Sequence, residues 1–407
     1  MADDLKPSHQ EHPLSPASRA ASGSIAANSH LPVVDGLRGL AILGVIWHHL
    51  TFVFLAPNPH AALPSYYLWA PFISNGWQGV NLFFFLSGFV LALPYLTGRR
   101  SVDTWADIRW FYIRRAKRLL PLFYLVCLFS FLLLETSYQA THVLGFLAAV
   151  SLLFNFSPKT FAPPVNWVFW SVGIEIWFSA IFPFVIRLYR RVRWLNATLL
   201  IIAVSIAVRA VGYAATPNFD YTITNFISDS VLGRLDDFAL GICACHLYLT
   251  RRQEIGRFAY PLVAAGAVLW LASMGLWNLR LAHQLPNAVA PLLGSLTNVG
   301  VFALFLGLVC GDTVLVRPLT SVGPRLLGLM CYSIYAWHGL LLSKLNYYNT
   351  VVAGHIDQTV CWFIAYAVCL GLFSTTTFVF VEFPGTGAGI IRSLLSGSRP
   401  AKAKPSA

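Results

Sequence analysis

Arg38 and His49 lie eleven residues apart within Leu37–Ala56, a stretch otherwise almost entirely apolar and long enough to cross a bilayer. A helix turns about 100° per residue, so eleven residues make about three turns plus 20°. Both side chains then project from one face, about 16 Å apart. Burying a guanidinium and an imidazole on one stripe of a membrane helix costs several kcal/mol unless that stripe borders a polar cavity. A neutral histidine there can act as general base toward a hydroxyl, because its pKa lies near physiological pH. In Ile113-Arg-Arg-Ala-Lys-Arg118, Arg115 and Arg118 stand one helical turn apart at the cytoplasmic entrance of a later apolar segment. Such a pair can grip phosphate oxygens bidentately. Together these groups suit group transfer from a cytosolic anionic donor.

The elements that must hold them are membrane helices. Hydrophobic residues make up 57% of the chain, charged residues 11%, and the mean hydropathy is +0.64, against about 25% charged in ordinary soluble domains. The 407 residues accommodate about ten spans of about 20 residues with short connections, which predicts an all-α polytopic helix bundle forming one membrane domain. The net charge of +12 reflects Lys and Arg gathered in cytoplasmic loops rather than affinity for nucleic acid. The seven cysteines lie in apolar segments, and Cys243 and Cys245 point to different helix faces. Neither a disulfide framework nor a zinc site is implied, and no metal is expected.

Residues 1–32 are rich in Ser, Ala, Pro and His without apolar periodicity and read as a disordered tail. They lack the compact apolar core of a secretory signal, so the first hydrophobic run is an uncleaved anchor. The membrane domain is expected over 33–385 and a disordered basic tail over 386–407. After the first span, further spans are expected near 77–97, 119–135, 167–186, 195–213, 231–250, 258–277, 290–310, 326–345 and 358–382. The run at 141–156 is ambiguous, and charge decides it. The loops at 98–118, 187–194, 251–257, 311–325 and 384–407 together hold twenty Lys or Arg, whereas the alternate loops hold only Lys159 and Arg280. All five basic groups fall on one side only if 141–156 does not span. Ten spans with both termini cytoplasmic follow, with 141–156 a re-entrant or interfacial helix.

In this topology His49, Glu175, Arg209 and His338 fall in the middle or outer half of the bilayer, and Arg234 and Asp237 enter from outside. Polar groups at similar depth on different helices are tolerated when they face one another or water, so a central polar cavity is expected.

The motifs carry a resemblance. Asp35-Gly-Leu-Arg38-Gly-Leu-Ala followed by His49 is similar to the opening signature of the acyltransferase family 3 membrane proteins. The similarity continues through Phe84-Phe85-Leu-Ser87-Gly88-Phe89, Arg114-Arg-Ala-Lys-Arg118-Leu-Leu-Pro121, Trp170-Ser171 with Glu175, and Gly233-Arg234 through Asp237-Phe238 to Gly241. It ends with Tyr332-Ser-Ile-Tyr335-Ala-Trp-His338 and Val381-Glu382-Phe-Pro384. The order and intervals are specific where each motif singly is weak. The resemblance implies transfer of an acyl group, usually acetyl, from acyl-CoA to a hydroxyl. The acceptor would be a sugar of an exopolysaccharide, lipopolysaccharide or glycosylated metabolite. It makes His49 the base or transient acyl carrier, Arg38 its essential partner, Arg115 and Arg118 the grip on CoA phosphates, and Glu175 the group orienting or charge-balancing the histidine. It also adds Asp35, Tyr335 and Glu382 to the cavity residues.

Two departures stand out. Ile176 follows Glu175 where many relatives have a second acid, so a two-carboxylate mechanism is not implied. Some relatives also carry an esterase-like domain after the last span, whereas only about twenty residues follow here. Direct acylation or a separate polysaccharide-biosynthesis partner is expected, in the bacterial cytoplasmic membrane.

Plainer readings stand beside these. Glu175 can pair with Arg209 or Arg234, Arg234 and Asp237 can satisfy each other, Tyr335 and His338 can be a buried hydrogen-bonded pair, and the run Phe83-Phe84-Phe85 can face lipid or simply pack. A proton-coupled secondary transporter would also use buried His, Glu and Arg. Whether transfer is direct or passes through an acyl-histidine stays open.

Overall fold

The structure is a computed structural model that describes residues 31–54, 75–133, 140–216, 225–348 and 359–397. Within these residues the regular secondary structure is helix alone. In chain order the helices are α1 (Pro32–Phe54), α2 (Gly79–Leu96), α3 (Trp105–Leu133), α4 (Ala140–Val150), α5 (Phe169–Arg191), α6 (Trp194–Ala215) and α7 (Leu235–Gly256). They continue as α8 (Ala259–Leu281), α9 (Ala290–Cys310), α10 (Val316–Leu319), α11 (Val322–Leu329), α12 (Cys331–Tyr348), α13 (Thr359–Thr377) and α14 (Gly387–Leu395). A 3-10 turn at Gly76–Gln78 leads into α2, and a π turn at Phe378–Glu382 ends α13.

Among the described residues eight helical segments are long and apolar enough to cross a bilayer, and the pair α11–α12, bent by 73° around Met330, makes a ninth if it is one broken span. This is a multi-pass membrane protein. The remaining expected span, at 231–250, falls on α7. Its 22 residues reach about 33 Å, but Asp236, Asp237 and the basic Arg251–Arg252 lower its hydropathy. Burial explains why the two aspartates are tolerated: every residue from Leu235 to Cys245 is buried, with α2, α6 and α9 packed around them. The α7 carboxylates therefore meet other helices rather than lipid. Gly88 of α2 faces the backbone of Phe238, and Gly241 of α7 faces that of Phe85. A Cβ at either would overlap the opposing carbonyl oxygen, so the missing side chains let these two helices lie backbone to backbone.

Two expectations change. α3 begins at Trp105, well before the expected 119, so much of the predicted basic loop is the first half of a 29-residue helix. Its start is a capping box. The Thr104 backbone N–H donates to the Asp107 carboxylate at 3.0 Å, and the Asp107 N–H donates to the Thr104 hydroxyl at 3.2 Å. Arg115 and Arg118 consequently ride on a helix against the bundle. At the other end, the tail expected to be disordered from 386 opens with α14, whose Ile390, Ile391 and Leu394 recur at helical spacing and face the core. Helix α4 has eleven residues, about 16 Å, too short to cross a membrane. The expected N-terminal tail before Leu31, and residues 398–407, lie outside the described residues.

Candidate active site

Helices α1 and α12 pack together, and each brings a histidine to the same level. His49 Nδ1 lies 3.0 Å from His338 Nε2, with ring centroids 5.2 Å apart and planes 14° from parallel, so the two imidazoles meet edge to edge. His49 also meets Trp167 edge-on, with centroids 4.5 Å apart. His338 is fully buried, and its Nδ1 sits 2.6 Å from the Tyr335 carbonyl oxygen. The segment leading into α5 fixes α12 in turn. Asn166 Nδ2 donates to the Ala336 carbonyl at 2.9 Å, and the Tyr335 hydroxyl donates to the Val168 carbonyl at 3.0 Å and meets Ser171 Oγ at 2.6 Å.

Tyr335 precedes His338 by three residues, a rise of about 4.5 Å, and it lines a cavity of about 170 Å³ between α1, α2, α3, α5 and α12. Val80, Phe83, Phe84 and Val172 give this cavity an apolar wall, while Arg38, Arg115, Arg118 and Glu175 give it a charged one. Glu175 accepts hydrogen bonds from Arg115 Nη2 at 2.5 Å and from the Ser87 hydroxyl at 2.7 Å, and Arg115 Nε donates to Ser179 Oγ at 3.1 Å. Arg118 lies 3.8 Å from Glu382, which also accepts from Ser333 at 3.0 Å. Arg38 has no hydrogen bond or ion pair to another described residue. Among the lining residues three guanidiniums face one carboxylate, Glu175, with Glu382 behind Arg118 and Asp35 buried a turn before Arg38.

Arg38, Arg115, Arg118, Glu175 and Tyr335 thus share one cavity, and His49 with His338 sits a turn beyond it. Glu382 joins through Arg118. Asp35 is buried one turn before Arg38, its backbone against Gly328. Glu175 sits elsewhere than expected: its carboxylate binds Arg115 rather than His49, and the partner of His49 is His338. Arg115 and Arg118 face acids, whereas Arg38 makes no hydrogen bond or ion pair among the described residues.

The other expected cavity residues form separate networks. Arg209 grips Asp236 bidentately at 3.0 and 2.7 Å and also donates to the Gly233 carbonyl and Ser295, joining α6, α7 and α9. Arg234 binds Asp229 at 2.6 Å, with Asp237 more distant at 4.0 Å. Asp237 instead accepts from Asn81 at 2.9 Å. None of Arg209, Arg234 and Asp237 lines the arginine cavity. Asp229 and Asp236 escaped the sequence reading. A second acid beside Asp237 and a lone arginine in α6 were the available signal for Asp236. Phe83 and Phe84, read as lipid-facing or packing residues, turn out to line the cavity.

A protein-family model described as an acyltransferase domain matches residues 31–381, which contain the whole cavity and both histidines. The chain belongs to the acyltransferase 3 family. Among curated proteins, it is 25% identical over 390 residues to "O-acetyltransferase OatA" of Staphylococcus aureus, covering 87% of this chain and 57% of that protein. It is 30% identical over 173 residues to "Putative acetyltransferase ORF330" of Acidianus two-tailed virus, covering 42% of this chain and 46% of the relative. It is 36% identical over 97 residues to "Putative peptidoglycan O-acetyltransferase YrhL" of Bacillus subtilis, covering 24% and 12%. The matches thus span little more than half the length of these acyltransferase relatives at most. No solved structure matches the chain.

Proposed function

We propose that this acyltransferase 3 protein is a membrane O-acetyltransferase. It takes an acetyl group from cytosolic acetyl-CoA and passes it to a hydroxyl of a carbohydrate: an exopolysaccharide, a lipopolysaccharide or a glycosylated metabolite. The observation that carries the reading is one alignment: Arg38, without a hydrogen-bond or ion-pair partner among the described residues, stands in a cavity whose lining residue Tyr335 is one helical turn from the His49–His338 pair. The three lining guanidiniums suit CoA phosphates, with Arg38 placed to bind an oxygen pair and Arg115 and Arg118 supporting it. The apolar wall of Val80, Phe83 and Val172 suits a short thioester arm. His49 then takes the proton of the acceptor hydroxyl as its oxygen attacks the acyl carbonyl. The names of the relatives support acetyl as the group and a cell-surface glycan as the acceptor class. In this reading both termini are cytosolic, the protein sits in a bacterial cytoplasmic membrane, and polysaccharide-biosynthesis proteins are its partners.

The test uses protein purified into nanodiscs, with release of CoA from acetyl-CoA measured against a panel of carbohydrate acceptors. The expected result is acceptor-dependent release that His49→Ala abolishes while the variant remains folded. Release unchanged in that variant, or substrate counterflow in liposomes without thioester cleavage, would overturn the proposal.

A further inference from the structure

The two histidines are joined in a chain with a direction. The Tyr335 carbonyl has lone pairs only, so the His338 Nδ1 at 2.6 Å carries a hydrogen and donates it. A neutral ring protonated at Nδ1 has a bare Nε2, which can only accept. The atom facing that Nε2 at 3.0 Å is His49 Nδ1, which therefore donates. A neutral His49 with its hydrogen on Nδ1 has a bare Nε2 in turn.

We infer that His338 is a positioning residue that holds His49 in the Nδ1–H tautomer, presenting His49 Nε2 as the nitrogen that meets the acceptor hydroxyl. This deepens the acetyl-transfer reading and rests on it for the reaction, though not for the tautomer. His338 is 0% exposed, so it acts through His49 rather than on the acceptor. Its ring is anchored to a helix carbonyl, and Trp167 packs edge-on against His49, so the Nε2 direction is set before substrate arrives.

The step balances as follows. The acceptor O–H proton moves to His49 Nε2 while the oxygen forms a bond to the thioester carbonyl carbon. The C–S bond then breaks, and the leaving thiolate takes the proton back from Nε2–H. While His49 carries that proton it is an imidazolium, and its Nδ1–H bond to His338 becomes charge-assisted and stronger. An interaction stronger in the transition state than in the ground state raises the turnover rate rather than substrate affinity.

Two measurements test this. In ¹⁵N-histidine NMR of the protein in nanodiscs, the His49 signals, assigned by their loss in His49→Gln, are expected to show hydrogen on Nδ1 and a bare Nε2. His338→Ala should move His49 toward the Nε2–H form. A wild-type His49 protonated at Nε2 overturns the inference, whether or not acetyl transfer is ever found. In kinetics, His338→Ala is expected to lower kcat by about 10²-fold, with KM for acetyl-CoA unchanged. His338→Gln sets an amide oxygen where Nε2 was and keeps kcat within a few-fold of wild type. Equal kcat in the Ala and wild-type proteins, or equal loss in both variants, contradicts the positioning role. Absence of transfer by the wild-type protein would defeat the functional reading alone.

Discussion

The Glu175 carboxylate takes hydrogen bonds from Arg115 of α3 and Ser87 of α2, so one acid clasps three helices around the arginine cavity. Its side chain and that of Arg115 are 20% and 15% exposed. Removing one member of such a pair strands the other charge, at about 3–5 kcal/mol. Glu175→Ala is expected to lose stability of that order. Arg115→Met combined with Glu175→Leu should recover most of the stability without recovering transfer, because the donor face has lost a cation. Thermal denaturation and CoA release on the same preparations check both halves. Activity returning together with stability would make Arg115 purely structural.

Arg38 contributes differently, since it makes no hydrogen bond or close ion pair with another described residue. Arg38→Ala should leave stability within about 0.5 kcal/mol while lowering kcat/KM for acetyl-CoA at least tenfold, about 1.4 kcal/mol of transition-state stabilisation. Arg38→Lys should recover only part, since an ammonium lacks the planar fork. Steady-state kinetics against acetyl-CoA concentration measures this.

Arg209 and Asp236 are the contrasting pair. Their side chains are 4% and 0% exposed, and they join α6, α7 and α9 away from the cavity. Asp236→Ala is expected to destabilise by about 3–5 kcal/mol and to lower yield, with kcat per folded molecule preserved. Active-site titration of the surviving protein decides it, and a specific loss of kcat would place this network in the reaction.

Phe83 packs edge-on to Tyr335 with ring centroids 6.2 Å apart, and both line the cavity on the side nearer His338. Phe83→Ala should open space there and shift preference from acetyl-CoA toward butyryl-CoA by about tenfold, the scale on which one or two methylenes are discriminated. Competition between the two thioesters reads the ratio directly. An unchanged ratio would mean that acyl length is limited elsewhere.

What the sequence revealed follows from what a membrane makes expensive. Arg38 and His49 were legible because a charged and a titratable group at one helical register have few reasons to sit in an apolar span, and the structure puts both beside the bundle interior. The short helix at Ala140–Val150 was legible through loop charge. The partner of Glu175 was not, because depth was counted from an α3 start at 119, whereas the Thr104–Asp107 capping box starts the helix at Trp105 and carries Arg115 beside Glu175. That box was present in the sequence as Thr-Trp-Ala-Asp, a local signal outweighed by the basic residues that follow. The pairing of His49 with His338 is 289 residues distant along the chain, and no local pattern specifies which two helices will face each other at that depth. Arg209 and Arg234 were expected to face a central cavity, whereas Asp236 and Asp229 neutralise them in networks of their own, and beside the motif acid Asp237 nothing local marked those two acids as their partners.

The most direct measurement of the central claim is mass spectrometry of surface glycans and glycosylated metabolites from a strain lacking this protein, complemented with either the wild-type chain or His49→Ala at matched membrane levels. The expected outcome is loss of one acetyl ester from a defined product, restored by the wild-type chain and not by the variant. An acetylation profile indifferent to the deletion, or restored equally by His49→Ala, would contradict the assignment of His49 as the group that drives transfer.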